Sequence, residues 1–249
     1  MLNHYFKTPK KMNFLKRLFS RKDKTPPVEK NISSNPASLH DLVMNGAVER
    51  PRKYAPFTIP DDSDFSLYPF FSHRSFEGNI PNNLVGSFHR KAGEEMPEVL
   101  VNLASIQGED LMLLNSVEME EEEFEVLYKY AFKNLDKLEE VTFKLLEDYD
   151  NKLVLGGGSE FISETILSKK HMLKIHELLG SDDILVSVSR RNFLLACSKH
   201  ESEKVQSLFV NYAVYVYKME LDTELLTTDV FFLKDGEIYA SLPITQAEK

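Results

Sequence analysis

Residues 182–243 constrain the fold more than any other stretch of this chain, because they predict strand, tight turn, strand, helix, strand, turn and strand in unbroken order. Ile184, Val186 and Val188 point one way and Ser187 and Ser189 the other, the period of two expected of a strand. Phe193, Leu195 and Cys197 repeat that alternation after Arg190-Arg191-Asn192, where Asn tolerates the left-handed conformation of a tight turn. Ser198 with Glu201 forms a candidate capping box. The helix it would open carries Val205, Leu208, Phe209, Tyr212, Ala213 and Val216 on one stripe. Residues 229–233 and 237–242 flank Asp235-Gly236, the strongest hairpin signal in the chain. A helix between two hairpins can return the chain across a sheet, so the second hairpin is expected to pair beside the first.

The preceding residues extend this pattern. Residues 67–76 are aromatic-rich and read as extended, with Pro69 marking an edge or a bulge because proline cannot donate to a ladder. Residues 98–106 read as a strand, 107–109 as a turn, and 110–115 as its antiparallel partner. Glu120 to Glu123 open a helix in which Phe124, Leu127, Tyr128, Ala131, Leu135 and Leu138 recur at helical spacing. Carboxylates in a first turn complement the free N–H groups and the helix dipole, so this acidic run is a solvated helix start rather than an acid–base pair. Val141, Phe143 and Leu145 alternate with Thr142 and Lys144 as a strand, residues 148–151 turn, and 152–155 return. Gly156-Gly157-Gly158-Ser159 then leads into a helical stretch ending near Leu179, with Gly180 as its C-terminal cap. The expected fold class is α+β, with a mainly antiparallel sheet built of hairpins and helices packed on one face.

The organisation towards the N-terminus is different. Residues 1–30 carry nine basic side chains against Asp23 and Glu29, a net of +7, which leaves −16 for the rest of a chain whose total is −9. Leu15, Leu18 and Phe19 can share one helical face, and residues 20–36 are polar with three prolines. Such a basic segment on a tether can touch an anionic membrane, but its apolar face is only about two turns long, so a solubilising disordered start is the plainer expectation. Residues 1–37 are thus expected as tail and linker, and 38–249 as one domain, with Ser38 capping a helix to about Val48. The acidic remainder should repel nucleic-acid phosphates. One cysteine excludes an internal disulfide and fits a reducing compartment. With no stretch long and apolar enough to span a bilayer and a poor secretory signal, the expected location is cytoplasmic.

Candidate sites are few. The Gly156, Gly157, Gly158, Ser159 loop has the strand–loop–helix outline of a phosphate cradle, yet it lacks a following Lys-Ser/Thr and the GxGxxG spacing. His171 and His176 lie five residues apart, about 140° around a helix, and cannot share a metal. His73 and His89 stand alone, so a metal site would require convergence of distant segments, and no metal or cofactor is expected. Cys197 lies on an apolar strand face and reads as a buried, inert thiol. Asp61-Asp62-Ser63-Asp64 lacks the glycine and distal glutamate of a calcium loop. Arg190 and Arg191 at a hairpin tip could grip a carboxylate or phosphate, although exposed basic turn residues are common.

The chain resembles the YtpQ-like family of uncharacterised bacterial proteins over roughly residues 67–243. The resemblance rests on Leu67-Tyr-Pro-Phe-Phe-Ser-His-Arg-Ser-Phe76, residues 97–115, residues 124–138 with Ala131-Phe-Lys-Asn-Leu135, residues 162–197 and residues 229–243. Residues 1–60 depart from the longer N-terminal part of that family. The resemblance implies a bacterial cytosolic setting and brings no activity, cofactor or catalytic residue. Two functions follow as expectations. One is a non-catalytic module that binds another protein, suggested by an acidic domain containing aromatics. The other is an enzyme or small-molecule binder whose site would gather the Gly156–Ser159 loop, His73, Arg74 and Arg190 from distant segments.

Overall fold

The computed structural model describes residues 66–76, 84–107, 110–114, 121–220 and 223–244. The basic tail, the Ser38 helix and Asp61 to Asp64 lie outside the described residues. Among the described residues the strands form two antiparallel sheets.

In the first sheet, β1 (Ser66–His73) pairs along the whole of β3 (Val99–Gln107), from Ser66 opposite Ile106 to His73 opposite Val99. The other edge of β3 is shared: β2 (Leu84–His89) takes Val99 to Asn102 and β4 (Asp110–Leu113) takes Ala104 to Gln107. β1 is therefore an edge strand. Phe71 and His73 donate their N–H groups away from β3, and Pro69, with no N–H, occupies the same outward register two residues earlier, as its sequence predicts. β2 was invisible as a pattern because its register shifts twice, between Leu84 and Gly86 and between Ser87 and His89. Two bulges in six residues erase the alternation that marks a strand.

The second sheet has six strands: β5 (Thr142–Leu145), β6 (Leu153–Gly157), β7 (Asp183–Ser187), β8 (Leu194–Ser198), β9 (Asp229–Lys234) and β10 (Glu237–Pro243), in the order β10-β9-β7-β8-β6-β5. The second hairpin does pair beside the first, through β9 against β7. Asn192 is left-handed at φ 62°, and Asp235 and Gly236 are both left-handed at φ 51° and 79°, as a tight primed turn requires.

Three α-helices are described: α1 (Glu121–Lys137), α2 (Lys169–Leu179) and α3 (Glu203–Lys218). In α1, Phe124, Leu127, Tyr128, Ala131 and Leu135 are buried while Glu122 is exposed. The N-cap of α2 is Ser168, which accepts the His171 N–H; a 3-10 turn over Glu164–Leu167 intervenes between the glycines and this helix. Gly180 closes α2 at φ 58°. At α3 the expected box is displaced by four residues. Ser202, not Ser198, is the N-cap, accepting the Val205 N–H from extended backbone, because residues 199–201 first turn the chain out of β8.

One apolar cluster joins Phe70, Phe71 and Phe88 of the first sheet to Leu127 and Leu135 of α1, Ile175 of α2, and Val186, Ala196 and Phe231 of the second sheet. The opposite parity of the second sheet is also buried, at Leu153, Leu185, Leu195, Cys197 and Phe232, alongside Phe209, Ala213 and Val216 of α3. The α+β class and the hairpin-built antiparallel pairing are as expected. Helices on one face describes α1 and α2, and α3 adds cover to the other face. No helix among the described residues is long and apolar enough to cross a membrane.

Candidate functional site

The two sheets meet along a polar seam, which strand register and the segments flanking the strands place there. In the first sheet His73, Val99 and His89 lie level across β1, β3 and β2. Glu98 immediately precedes Val99. Its N–H donates to His89 O at 2.9 Å and its carbonyl accepts the Arg74 N–H at 2.9 Å, so the backbone of both neighbours fixes it. In the second sheet, the chain before β9 runs antiparallel to the β7–β8 turn. The Arg191 N–H donates to Glu224 O and the Leu226 N–H to Ser189 O, which delivers Glu224, Thr227 and Asp229 to the seam.

Here His89 Nε2 lies 2.9 Å from Asp229 Oδ2, with side chains 1% and 2% exposed. The His89 ring meets Phe231 edge-on, at a centroid distance of 5.1 Å and an angle of 83°. The Thr227 hydroxyl donates to Glu98 Oε2 at 2.6 Å and accepts the Asp229 N–H at 3.1 Å. The Lys91 ammonium donates to the other Glu98 oxygen, Oε1. Burial works against that ammonium, but the Glu98 carboxylate outweighs it and holds the Lys91 pKa above its ordinary value. One donor atom each from His89, Glu98 and Asp229 falls within 4.8 Å of the others. Asp229 Oδ1 and His89 Nδ1 are buried and have no hydrogen-bond partner.

A second carboxylate pair lines the outward edge of β1. Glu164 Oε1 accepts the Phe71 N–H at 2.8 Å, and Glu164 Oε2 accepts the Ser163 hydroxyl at 2.7 Å. Glu224 Oε1 accepts the His73 N–H at 2.8 Å. These bonds satisfy an edge that would otherwise present open donors. Burial raises the pKa of Glu164 and pushes that of Glu224 up to about 7, while the Arg191 guanidinium draws both back. That guanidinium stacks over Phe70, its carbon 4.0 Å from the ring centroid.

The residues singled out from sequence are distributed as follows. Arg191, His73 and Arg74 reach the seam or its rim. The His73 pKa is lowered, first by burial and then by Arg74 and Lys91, with Glu98 opposing. His73 Nδ1 lies 2.7 Å from Ser75 Oγ, and Arg74 pairs with Glu94 at 2.5 Å in solvent. Arg190 is buried and serves the C-terminus of α3. Its guanidinium donates to Val216 O at 2.8 Å, Tyr217 O at 3.1 Å, Thr223 O at 2.5 Å and Met219 O. Gly156 and Gly157 sit within the β5–β6 ladder, opposite Phe143 and Thr142. A Cβ on Gly156 would come within 2.8 Å of Ile162, and one on Gly158, at φ 85°, within 2.1 Å of Glu140 O, so close packing accounts for both. Ser159 Oγ accepts the Phe161 N–H at 3.2 Å. The glycine loop and His73–Arg74 thus belong to different sheets. His171 and His176 are separated as their spacing predicts, the first bound to Leu135 O and the second to Ser181 O and the Gly236 N–H. Cys197 is fully buried, and burial pushes its thiol pKa far up.

Lys91, Glu98, Asp229, Glu164, Glu224 and Thr227 are the seam residues that sequence reasoning missed, and His89, read there as standing alone, joins them. Glu98 and Asp229 do carry a trace, since each stands directly before an apolar strand run. An acidic residue there also reads as an ordinary solvated boundary, and only the meeting of the sheets separates the two meanings.

Among proteins compared by family model, by curated sequence and by solved structure, none matches this chain.

Proposed function

We propose that this chain is a non-catalytic module that binds another protein through the aromatic surface of α3. The carrying observation is a group of three rings around Tyr212. Tyr149 lies 6.4 Å from it, Phe193 6.3 Å in a stacked arrangement, and Tyr215 6.5 Å. Tyr215 is 55% exposed. Burial raises the Tyr212 pKa, with Tyr149 and Tyr215 adding to it, so the hydroxyl stays neutral at physiological pH. Rigid aromatic side chains give large contact area at low conformational cost and dominate binding energy at protein interfaces. The excess of acidic residues outside the tail favours a basic partner, whose arginines would stack on these rings.

The test is capture of a defined partner by the full chain, followed by a titration with that partner purified. Tyr215→Ser, at an exposed position, should leave the melting temperature unchanged and weaken the complex at least about tenfold, the effect of 1.4 kcal/mol. An affinity equal to wild type for both Tyr215→Ser and Phe193→Ser would remove this surface from consideration.

A further inference from the structure

We propose that His89, Glu98 and Asp229 bind a divalent transition-metal ion that staples the two sheets together. The donor set is one imidazole nitrogen and two carboxylates, which suits zinc, manganese, iron(II) or cobalt(II) better than calcium. The donors are already close to coordinating positions. Ligands about 2.1 Å from a shared ion stand about 3 Å apart at right angles and about 4.2 Å apart across it. His89 Nε2 and Asp229 Oδ2 are 2.9 Å apart, and all three donors lie within 4.8 Å. Small side-chain shifts would close the site.

A second observation points to a cation independently of this spacing. Asp229 is 1% exposed, yet its Oδ1 has no hydrogen-bond partner. A buried carboxylate oxygen left unpaired is destabilising, and native interiors rarely tolerate one without a function for it. Binding an ion through both oxygens would satisfy Asp229 and yield four donors from three residues, the number a closed structural site uses. The outer shell is in place. Thr227 holds Glu98 Oε2, and the Asp229 N–H fixes Thr227 in turn.

Lys91 is the rival. Its ammonium neutralises Glu98 now, so it must leave when an ion enters. It can do so, because its side chain is 28% exposed on a flexible stem, whereas the Glu98 side chain is held almost out of solvent. His89 ends β2 of the first sheet, Glu98 directly precedes β3 of that sheet and Asp229 opens β9 of the second, so an ion here would cross-link segments that only tertiary packing unites. The closure of the site, with all three residues at 1–3% exposure, marks its role as structural.

The experiment uses the full chain after treatment with chelator. Cobalt(II) is titrated while visible absorption is recorded, and melting is followed with cobalt(II) or zinc at about one hundred times the dissociation constant. One equivalent of cobalt should develop a ligand-field spectrum that zinc abolishes, with a rise in melting temperature of roughly 5–10 °C. Asp229→Asn, close in shape to the native residue, should lose both responses. Lys91→Met, which keeps the stem without the charge, should bind at least about tenfold more tightly. The proposal is overturned if neither wild type nor Lys91→Met binds, since Lys91 is then not masking a site. It is equally overturned if Asp229→Asn and His89→Ala bind as wild type does, since the ion then sits elsewhere.

Discussion

His89 and Asp229 are 140 residues apart in the chain, yet the imidazole Nε2 lies 2.9 Å from the carboxylate Oδ2 and neither side chain reaches solvent. Removing one member leaves the other buried without its partner, which costs about 3–5 kcal/mol when the remaining group is charged. Asp229→Ala and His89→Ala, measured by urea unfolding in chelator, should each be strongly destabilising. The double variant should cost clearly less than the sum. A coupling below about 0.5 kcal/mol would mean that the pair contributes only as two separate buried groups.

Glu224 should make stability depend on pH near neutrality. Burial holds its carboxyl up to about 7, above an ordinary value of 4.5, against the opposing pull of the His73 N–H and Arg191. The folded state therefore takes up a proton more readily than the unfolded state. The contribution is complete below about 4.5 and is lost as pH rises through about 7. His73, with its pKa lowered, acts in the opposite sense, losing stability as pH falls through 6.5. Comparing Glu224→Gln with wild type at each pH cancels that second effect. From pH 5 to 8 the variant should gain on wild type, by less than the limit of about 1.4 kcal/mol per pH unit for one proton, because Glu224 is partly solvated. A pH-independent difference would place the ionisation outside this window.

The glycines should separate clash from conformation. Gly93 and Gly158 share φ 85°, but a Cβ on Gly93 would meet nothing within 4 Å, whereas one on Gly158 would lie 2.1 Å from Glu140 O. Gly93→Ala should cost about 1–2 kcal/mol, the left-handed backbone alone. Gly158→Ala should cost at least about 3 kcal/mol, since the backbone at Glu140, just before β5, must also shift. Equal urea midpoints for the two variants would show that the 140–142 segment yields freely.

Arg190 should resist its conservative replacement. A planar fork with five donors serves three carbonyls at the end of α3, from Val216, Tyr217 and Met219, and that of Thr223 in the segment beyond it. Lysine presents a single ammonium and cannot span them. Arg190→Lys is expected to lower stability by about 2–4 kcal/mol, with early loss of protection in α3 by hydrogen exchange. A full rescue by lysine would reduce the role of Arg190 to its charge.

Local geometry was legible wherever neighbouring residues set it. Asp235-Gly236 and Asn192 take the left-handed backbone their side chains tolerate, Gly180 ends α2, and Pro69 lies on an edge that needs no N–H from it. The stripe of α1 is visible for the same reason, since a helix repeats its inward positions within a few residues. Competition between nearby serines was harder to read. The sequence points to Ser198 with Glu201, and the turn out of β8 moves the cap to Ser202. Arg190 shows a different limit: a hairpin-tip arginine reads as exposed until the end of α3 is placed beside it.

By itself the sequence determined the class of fold, the hairpins and the pairing of the second hairpin beside the first, because those depend on period, turn chemistry and short connections. The tertiary structure alone decided the seam. His89, Glu98 and Asp229 come from a doubly bulged strand and from the first positions beside two others, where no local rule distinguishes a buried ligand from a solvated boundary. Their chemistry depends on two sheets closing over them, since burial is what leaves an oxygen of Asp229 without a partner and raises the Glu224 carboxyl. That burial is set by contacts between residues more than a hundred positions apart, such as His89 with Asp229 and Thr227 with Glu98.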